Sequence, residues 1–280
     1  MDLSNLDDDV LNGGPDADEP LAIVTRTDIG KLRVRNEDAV AASQIHGWIV
    51  LADGMGGYRG GDVAARIVVK EISAACEQAA GVAGEGDSIS EVLCEAVRSA
   101  NRAILREACC RPSLSGMGST VVAAAIDGHE LVLAHVGDSR AYCFADGVLE
   151  QLTRDHSLLQ ERIDEGMISA AEAQSAPGRN LLTRALGVDP EVDVACLRHP
   201  LAKGGLYLLC SDGLTDMVDD ADIALTLESV GVNLPLAAEC LVQLANDRGG
   251  RDNITVALLA INAVPEQAGG WFGRLAARLK

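Results

Sequence analysis

The stretch Arg140-Ala141-Tyr142-Cys143-Phe144-Ala145-Asp146-Gly147-Val148-Leu149-Glu150-Gln151-Leu152-Thr153 decides the fold. Two strand-length runs flank Asp146-Gly147, a dipeptide that takes the positive φ angles of a two-residue hairpin turn, so the chain folds back on itself as an antiparallel pair. Outward from this hairpin, apolar runs of strand length bounded by Gly, Asp or Asn stand at Leu21 to Thr27, Trp48 to Ala52, Ser119 to Ile126, Glu130 to Val136, Val192 to Leu197, Leu206 to Cys210 and Ile254 to Ile261. Helical spacing appears in Asp62 to Ala83 and Ile89 to Glu107, where apolar residues recur three and four apart, and again in His156 to Glu165, Ala221 to Leu227 and Pro235 to Asn246. Asp219-Asp220 offers a cap to the fourth. Strands grouped as hairpins, with no regular β-α-β alternation, predict an α+β fold of packed sheets with helices outside.

The chain has 280 residues, with 23 Lys and Arg against 42 Asp and Glu, a net charge of −19, and 2% aromatic residues. Nucleic-acid binding needs a basic surface and aromatic stacking platforms, and neither is present. At 48% hydrophobic residues the chain can still bury a full core. Residues 1–20 hold seven acids and no Lys or Arg, and are expected to form a disordered acidic tail. They lack the basic start and apolar stretch of a signal peptide, and no apolar run approaches a membrane span, so a soluble protein is expected. Residues 262–280 form a short basic amphipathic tail containing Trp271-Phe272, which could touch a membrane surface or a partner but is read first as an idle terminus. Between the tails, residues 21–261 show no internal boundary and no repeat. Residues 154–187 read as a mostly helical lid broken at Pro177-Gly178. Eight cysteines without a C-x-x-C pair point to a reducing, cytoplasmic setting.

Acids stand where apolar strands meet glycine or a polar turn: Asp53 in Ala52-Asp53-Gly54-Met55-Gly56-Gly57, Asp138 in Val136-Gly137-Asp138-Ser139, Asp212 in Cys210-Ser211-Asp212-Gly213, Asp252 in Arg251-Asp252-Asn253-Ile254, and Glu37-Asp38 ahead of Ala39-Val40-Ala41. Taken singly each is ordinary turn chemistry, as assigned to Asp127-Gly128 and Asp146-Gly147. Together, carboxylates converging at one sheet edge would repel and raise one another's pKa. Hard divalent cations remove that conflict: Mg²⁺ and Mn²⁺ take oxygen ligands, whereas zinc would want Cys or His. A pair of such ions can activate water for attack at phosphorus.

With Gly30-x-x-Arg33-x-x-Asn36-Glu37-Asp38 and Met117-Gly118-Ser119-Thr120 added, these motifs occur in the order found in the metal-dependent serine/threonine protein phosphatases of type 2C, which residues 21–261 resemble in their bacterial single-domain form. The resemblance implies an αββα sandwich of two antiparallel sheets flanked by helices, and hydrolysis of phosphoserine and phosphothreonine in proteins with two Mn²⁺ or Mg²⁺ ions. Asp53 would bridge both ions, Asp212 and Asp252 would complete one, and Glu37 with the Gly54 carbonyl would serve the other. Asp138 would hold a third, looser ion. Asp38 would orient metal-bound water, Asn253 would steady Asp252, and Arg33 would bind the substrate's phosphate with its guanidinium fork. The implied partners are phosphorylated proteins, those of a cognate Ser/Thr kinase, a cell-division system or a secretion apparatus. A catalytically weak or inactive phosphoprotein-binding regulator of the same fold is the alternative.

Met55 stands where many eukaryotic relatives carry a histidine proposed as general acid, and a thioether has no proton to donate. Metal-bound water, His156 or His135 are the substitutes. Tyr58 and Asp62 also depart from the His and Glu common in bacterial relatives. The core segment 21–261 carries −14, which two divalent ions would bring to −10. That bulk charge favours basic residues beside the phosphosite.

Overall fold

The computed structural model describes residues 19–81, 88–169, 172 and 181–263. Nearly all of both expected tails, and residues 170–171 and 173–180 of the expected lid, lie outside the described residues.

Eleven strands form two antiparallel sheets. The first runs in the order β1 (Leu21–Asp28), β11 (Ile254–Ile261), β10 (Leu206–Cys210), β7 (Arg140–Ala145), β8 (Val148–Gln151). The second runs β2 (Asp38–Ser43), β3 (Trp48–Met55), β5 (Val121–Asp127), β6 (Glu130–Val136), β9 (Ala195–Pro200), with the short β4 (Gly118–Ser119) pairing on the end of β3. The hairpin joining β7 to β8 turns through Asp146 and Gly147, both at positive φ (51° and 76°).

Alternation along the strands sorts side chains into three apolar layers. Ile49, Leu51, Leu133, Tyr207, Leu209 and Leu259 fill the space between the sheets. Trp48, Val50 and Val132 face α1 (Gly57–Gly81) and α2 (Ile89–Cys110) on one side. Leu208, Val256 and Leu258 face α5 (Asp220–Val230) and α6 (Leu234–Asp247) on the other. The architecture is thus αββα. α2 starts on a capping box, the Ser88 side chain accepting from Glu91 N while Glu91 reaches back to Ser88 N. Asp219 caps α5, as its sequence suggested.

Three sequence readings shift. β2 is a strand the apolar pattern did not mark, because every one of its residues is only half-buried. β9 lies three residues later than expected, and its alternating exposure is that of an edge strand. Of the mostly helical lid, the described part contains one seven-residue helix, α3 (Leu158–Asp164), and chain tied down by backbone bonds: Leu158 N to Leu181 O, Thr183 N to His156 O, and Leu186 N to Ser119 O.

Candidate metal centre

Antiparallel register places Asp38 of β2 directly opposite Asp53 of β3 at the end of the second sheet. The first sheet delivers Asp212, which follows β10 and opens the short helix α4 (Asp212–Thr215), and Asp252, which precedes β11. Asp138 lies in the turn where the chain leaves β6 of one sheet for β7 of the other. The acids therefore meet across the seam between the sheets. Arg33, Glu37, Asp53, Gly54, Asp138, Asp212 and Asp252 all line one cavity of about 680 Å³, with Arg35, Met55, Leu182 and Asn253 on its walls. A cavity of about 760 Å³ between α3 and the α4–α5 turn also holds acids, but Asp155 there is bound by Arg140 and no candidate ligand lines it.

Two glycines make the approach possible. A Cβ on Gly54 would stand 2.0 Å from the Gly61 carbonyl oxygen, and one on Gly61 would stand 2.5 Å from the Gly54 oxygen and 2.9 Å from Glu37 Oε1. Glycine at 61 thus leaves uncovered the two oxygens, Gly54 O and Glu37 Oε1, expected to serve one ion.

The electrostatics are those of crowded anions. Burial, and then the charges of Asp38, Asp212, Asp138 and Asp252, push Asp53 well above the usual carboxylate range. Asp212 is raised likewise by burial and by Asp138, Asp216, Asp252 and Asp38. Burial lifts Asp38 and Asp138 to about 6. Burial also raises Glu37, against the pull of Arg33. Arg33 donates to Asp252 Oδ2 at 2.5 Å, and although burial opposes it, that pairing holds its pKa above the ordinary value.

The protein phosphatase 2C family model matches residues 33–239, which include the Glu37, Asp53, Asp138 and Asp212 segments. The chain belongs to the protein phosphatase 2C family. A serine/threonine phosphatase of Listeria innocua is 39% identical over 240 residues, covering 85% of this chain and 94% of that protein. The serine/threonine phosphatase PstP/Ppp of Mycobacterium tuberculosis superposes with a TM-score of 0.80 at 38% identity, covering 87% of this chain and 99% of the crystallised one. The PstP catalytic domain crystallised with two manganese ions gives 0.77 at 37% identity, covering 86% and 97%.

In this phosphatase 2C chain the residues fit hard divalent cations. Among the described residues no three Asp, Glu, His or Cys side chains are gathered tightly enough to enclose an ion as they stand. The fit rests instead on donor chemistry and on oxygens left without partners. Every candidate donor in the cavity is a hard oxygen, and no His or Cys lines it. Asp212 Oδ1 and Asp38 Oδ1 are buried with no hydrogen-bond partner, a costly state for a carboxylate that a cation or its coordinated water would relieve.

Asp38 is not on the cavity wall but behind it, its Oδ2 accepting from Ser211 Oγ at 2.9 Å. Asn253 bonds in two directions. Its backbone N–H donates to Asp252 Oδ1 at 2.8 Å, while its side chain clamps the 29–37 loop by donating to Ile29 O and Arg35 O and accepting from Glu37 N. The two histidines considered as general acids are occupied elsewhere. They stack at 4.6 Å, His135 Nε2 bonds Arg154 O, and His156 Nδ1 accepts from Gly137 N beside Asp138. The Tyr58 side chain lies outside the description, and Asp62 pairs with Arg66 at 2.7 Å.

Supporting hydroxyls were missed. Buried Ser211 also accepts from Thr255 N, and Thr120 Oγ1 accepts from Asp53 N and meets Ser139 Oγ at 2.7 Å. Their only sequence signal was membership of the motifs that carry the acids.

Proposed function

We propose that this chain is a protein-serine/threonine phosphatase that uses two divalent cations, Mn²⁺ or Mg²⁺, and reverses the work of a Ser/Thr kinase in the cytoplasm. The observation carrying this reading is the convergence of five carboxylates, the bare Gly54 carbonyl and Arg33 on one cavity. Asp53, Asp212 and Asp252 would hold one ion, Asp53, Glu37 and Gly54 O the other, and Asp138 with Asp212 a third. Such ions, when bound, acidify a water for attack at phosphorus and neutralise charge on the phosphate oxygens.

The protein's own groups do the rest. Arg33 spends one N–H on Asp252 and keeps the others of its five-donor fork for the phosphate. Asp38, anchored at Oδ2 by Ser211, keeps a buried Oδ1 without a hydrogen-bond partner, which would accept from metal-bound water. Met55 offers no proton, the cavity lining contains no histidine, and His156 is held neutral by burial with a pKa of about 4. The leaving alkoxide therefore takes its proton from water. No protein nucleophile is required.

The test is hydrolysis of p-nitrophenyl phosphate and of a phosphothreonine peptide with Mn²⁺ or Mg²⁺. Both activities should vanish on chelation and fall at least ~10²-fold in Asp53→Asn, more than is typical for a ligand's supporting neighbour. Equal turnover by wild type and Asp53→Asn would overturn the assignment.

A further inference from the structure

Arg33 and Arg35 both line the cavity but are in different states. Arg33 is ion-paired to Asp252, and other cations of this end are also engaged, Lys31 with Asp247 at 3.7 Å and Arg248 with Asp222. Arg35 is exposed, and among the described residues no ion pair joins it to an acid, although Glu37 feels its charge. Its backbone is nevertheless fixed. The Arg35 carbonyl accepts from Asn253 Nδ2 at 2.9 Å, and Glu37 N, two residues on, donates to the same side chain at 2.8 Å. Val34 between the two arginines is 92% exposed, so no described residue covers it.

An exposed guanidinium on a pinned backbone beside a phosphate site, unpaired among the described residues, is a reader of anions. Resting on the phosphatase reading above, we propose that Arg35 selects phosphoserine and phosphothreonine sites that carry a carboxylate side chain close to the phosphoresidue. Arg33 and Arg35 stand two positions apart, at most about 7 Å of chain, which matches one or two residues of an extended substrate. The bulk charge of −14 on residues 21–261 argues the other way, for basic flanks. Bulk charge is screened beyond about 8–10 Å, however, and inside that radius the five cavity acids are largely offset by the bound cations and Arg33. Arg35 is then the charge a neighbouring side chain meets.

The experiment uses the full-length, metal-loaded enzyme and phosphothreonine peptides with Glu, Ala or Lys placed singly at each of the two positions on either side. Glu should raise kcat/KM about 3- to 5-fold over Ala at one or more positions, the upper range for an exposed ion pair, and high salt should erase the gain. Arg35→Ala should bring the Glu/Ala ratio to one, and Arg35→Glu should turn it toward Lys, with thermal unfolding and Mn²⁺ binding confirming that both variants are folded. A Glu/Ala ratio of one at every position in the wild type, or a Glu preference that survives Arg35→Ala, overturns the proposal. Failure of the wild type to hydrolyse any peptide would instead overturn the phosphatase reading.

Discussion

Removing the hydroxyl of Ser211 would strand two buried partners at once, the Asp38 carboxylate at Oδ2 and the backbone N–H of Thr255. An unsatisfied buried polar group costs roughly 1–3 kcal/mol. Ser211→Ala should therefore lower the midpoint of denaturant unfolding and weaken Mn²⁺ binding together, read by urea titration and by metal titration. An unfolding midpoint equal to wild type would show that the hydroxyl supports nothing. Ser211 also marks the limit of what single residues disclosed. The acids were legible because a carboxylate between an apolar strand and a glycine is conspicuous. A serine there reads as a turn residue, and its partner Asp38 is 173 positions away in sequence.

At the scale of elements, the strands buried on both faces, β5, β6, β10 and β11, announced themselves as continuous apolar runs. The edge strands β2 and β9 carry half-buried or alternating residues and gave a weaker signal. The start of α1 was hidden for a related reason. Gly60 and Gly61 are poor helix formers, yet they lie inside it because a side chain at 61 would strike the Gly54 carbonyl. The β6–β7 turn depends on the stacked histidines, and this makes it sensitive to pH. Burial, then the neighbouring His135, lowers His156 from 6.5 to about 4, so the fold prefers the neutral ring. That contribution is full above the ordinary pKa of 6.5 and is lost as pH falls toward 4. Since the ring is partly exposed, the loss should be about 1 kcal/mol between pH 7 and pH 5. His156→Gln keeps an acceptor for Gly137 N–H but cannot titrate. Parallel urea unfolding of both proteins should show a shallower acid loss in the variant, and identical slopes would count against the histidine.

For the whole molecule, the shared cavity makes stability a function of pH and cation together. Asp38 and Asp138 rise from 3.8 to about 6 in the protein without metal. A raised carboxylate stabilises the fold below its ordinary pKa, and that stabilisation is lost as pH climbs through about 6, where repulsion sets in. Divalent cations relieve the repulsion, so the rise in Tm between chelator and saturating Mn²⁺ should be larger at pH 7.5 than at pH 5, measured by circular dichroism. A shift independent of pH would dissociate the acids from cation binding. The topology also sets a schedule for synthesis. Among the described residues β1, the first strand made, pairs along its whole length with β11, the last, from Leu21↔Ile261 to Asp28↔Ile254. At about 5–20 residues per second, β1 waits roughly 10–45 s for its neighbour. Asp252 arrives immediately ahead of β11, so a nascent chain gains the last of the five cavity acids and closes its sheet in the same moment. An unfinished polypeptide that lacks β11 therefore also lacks one of the five acids that line the cavity.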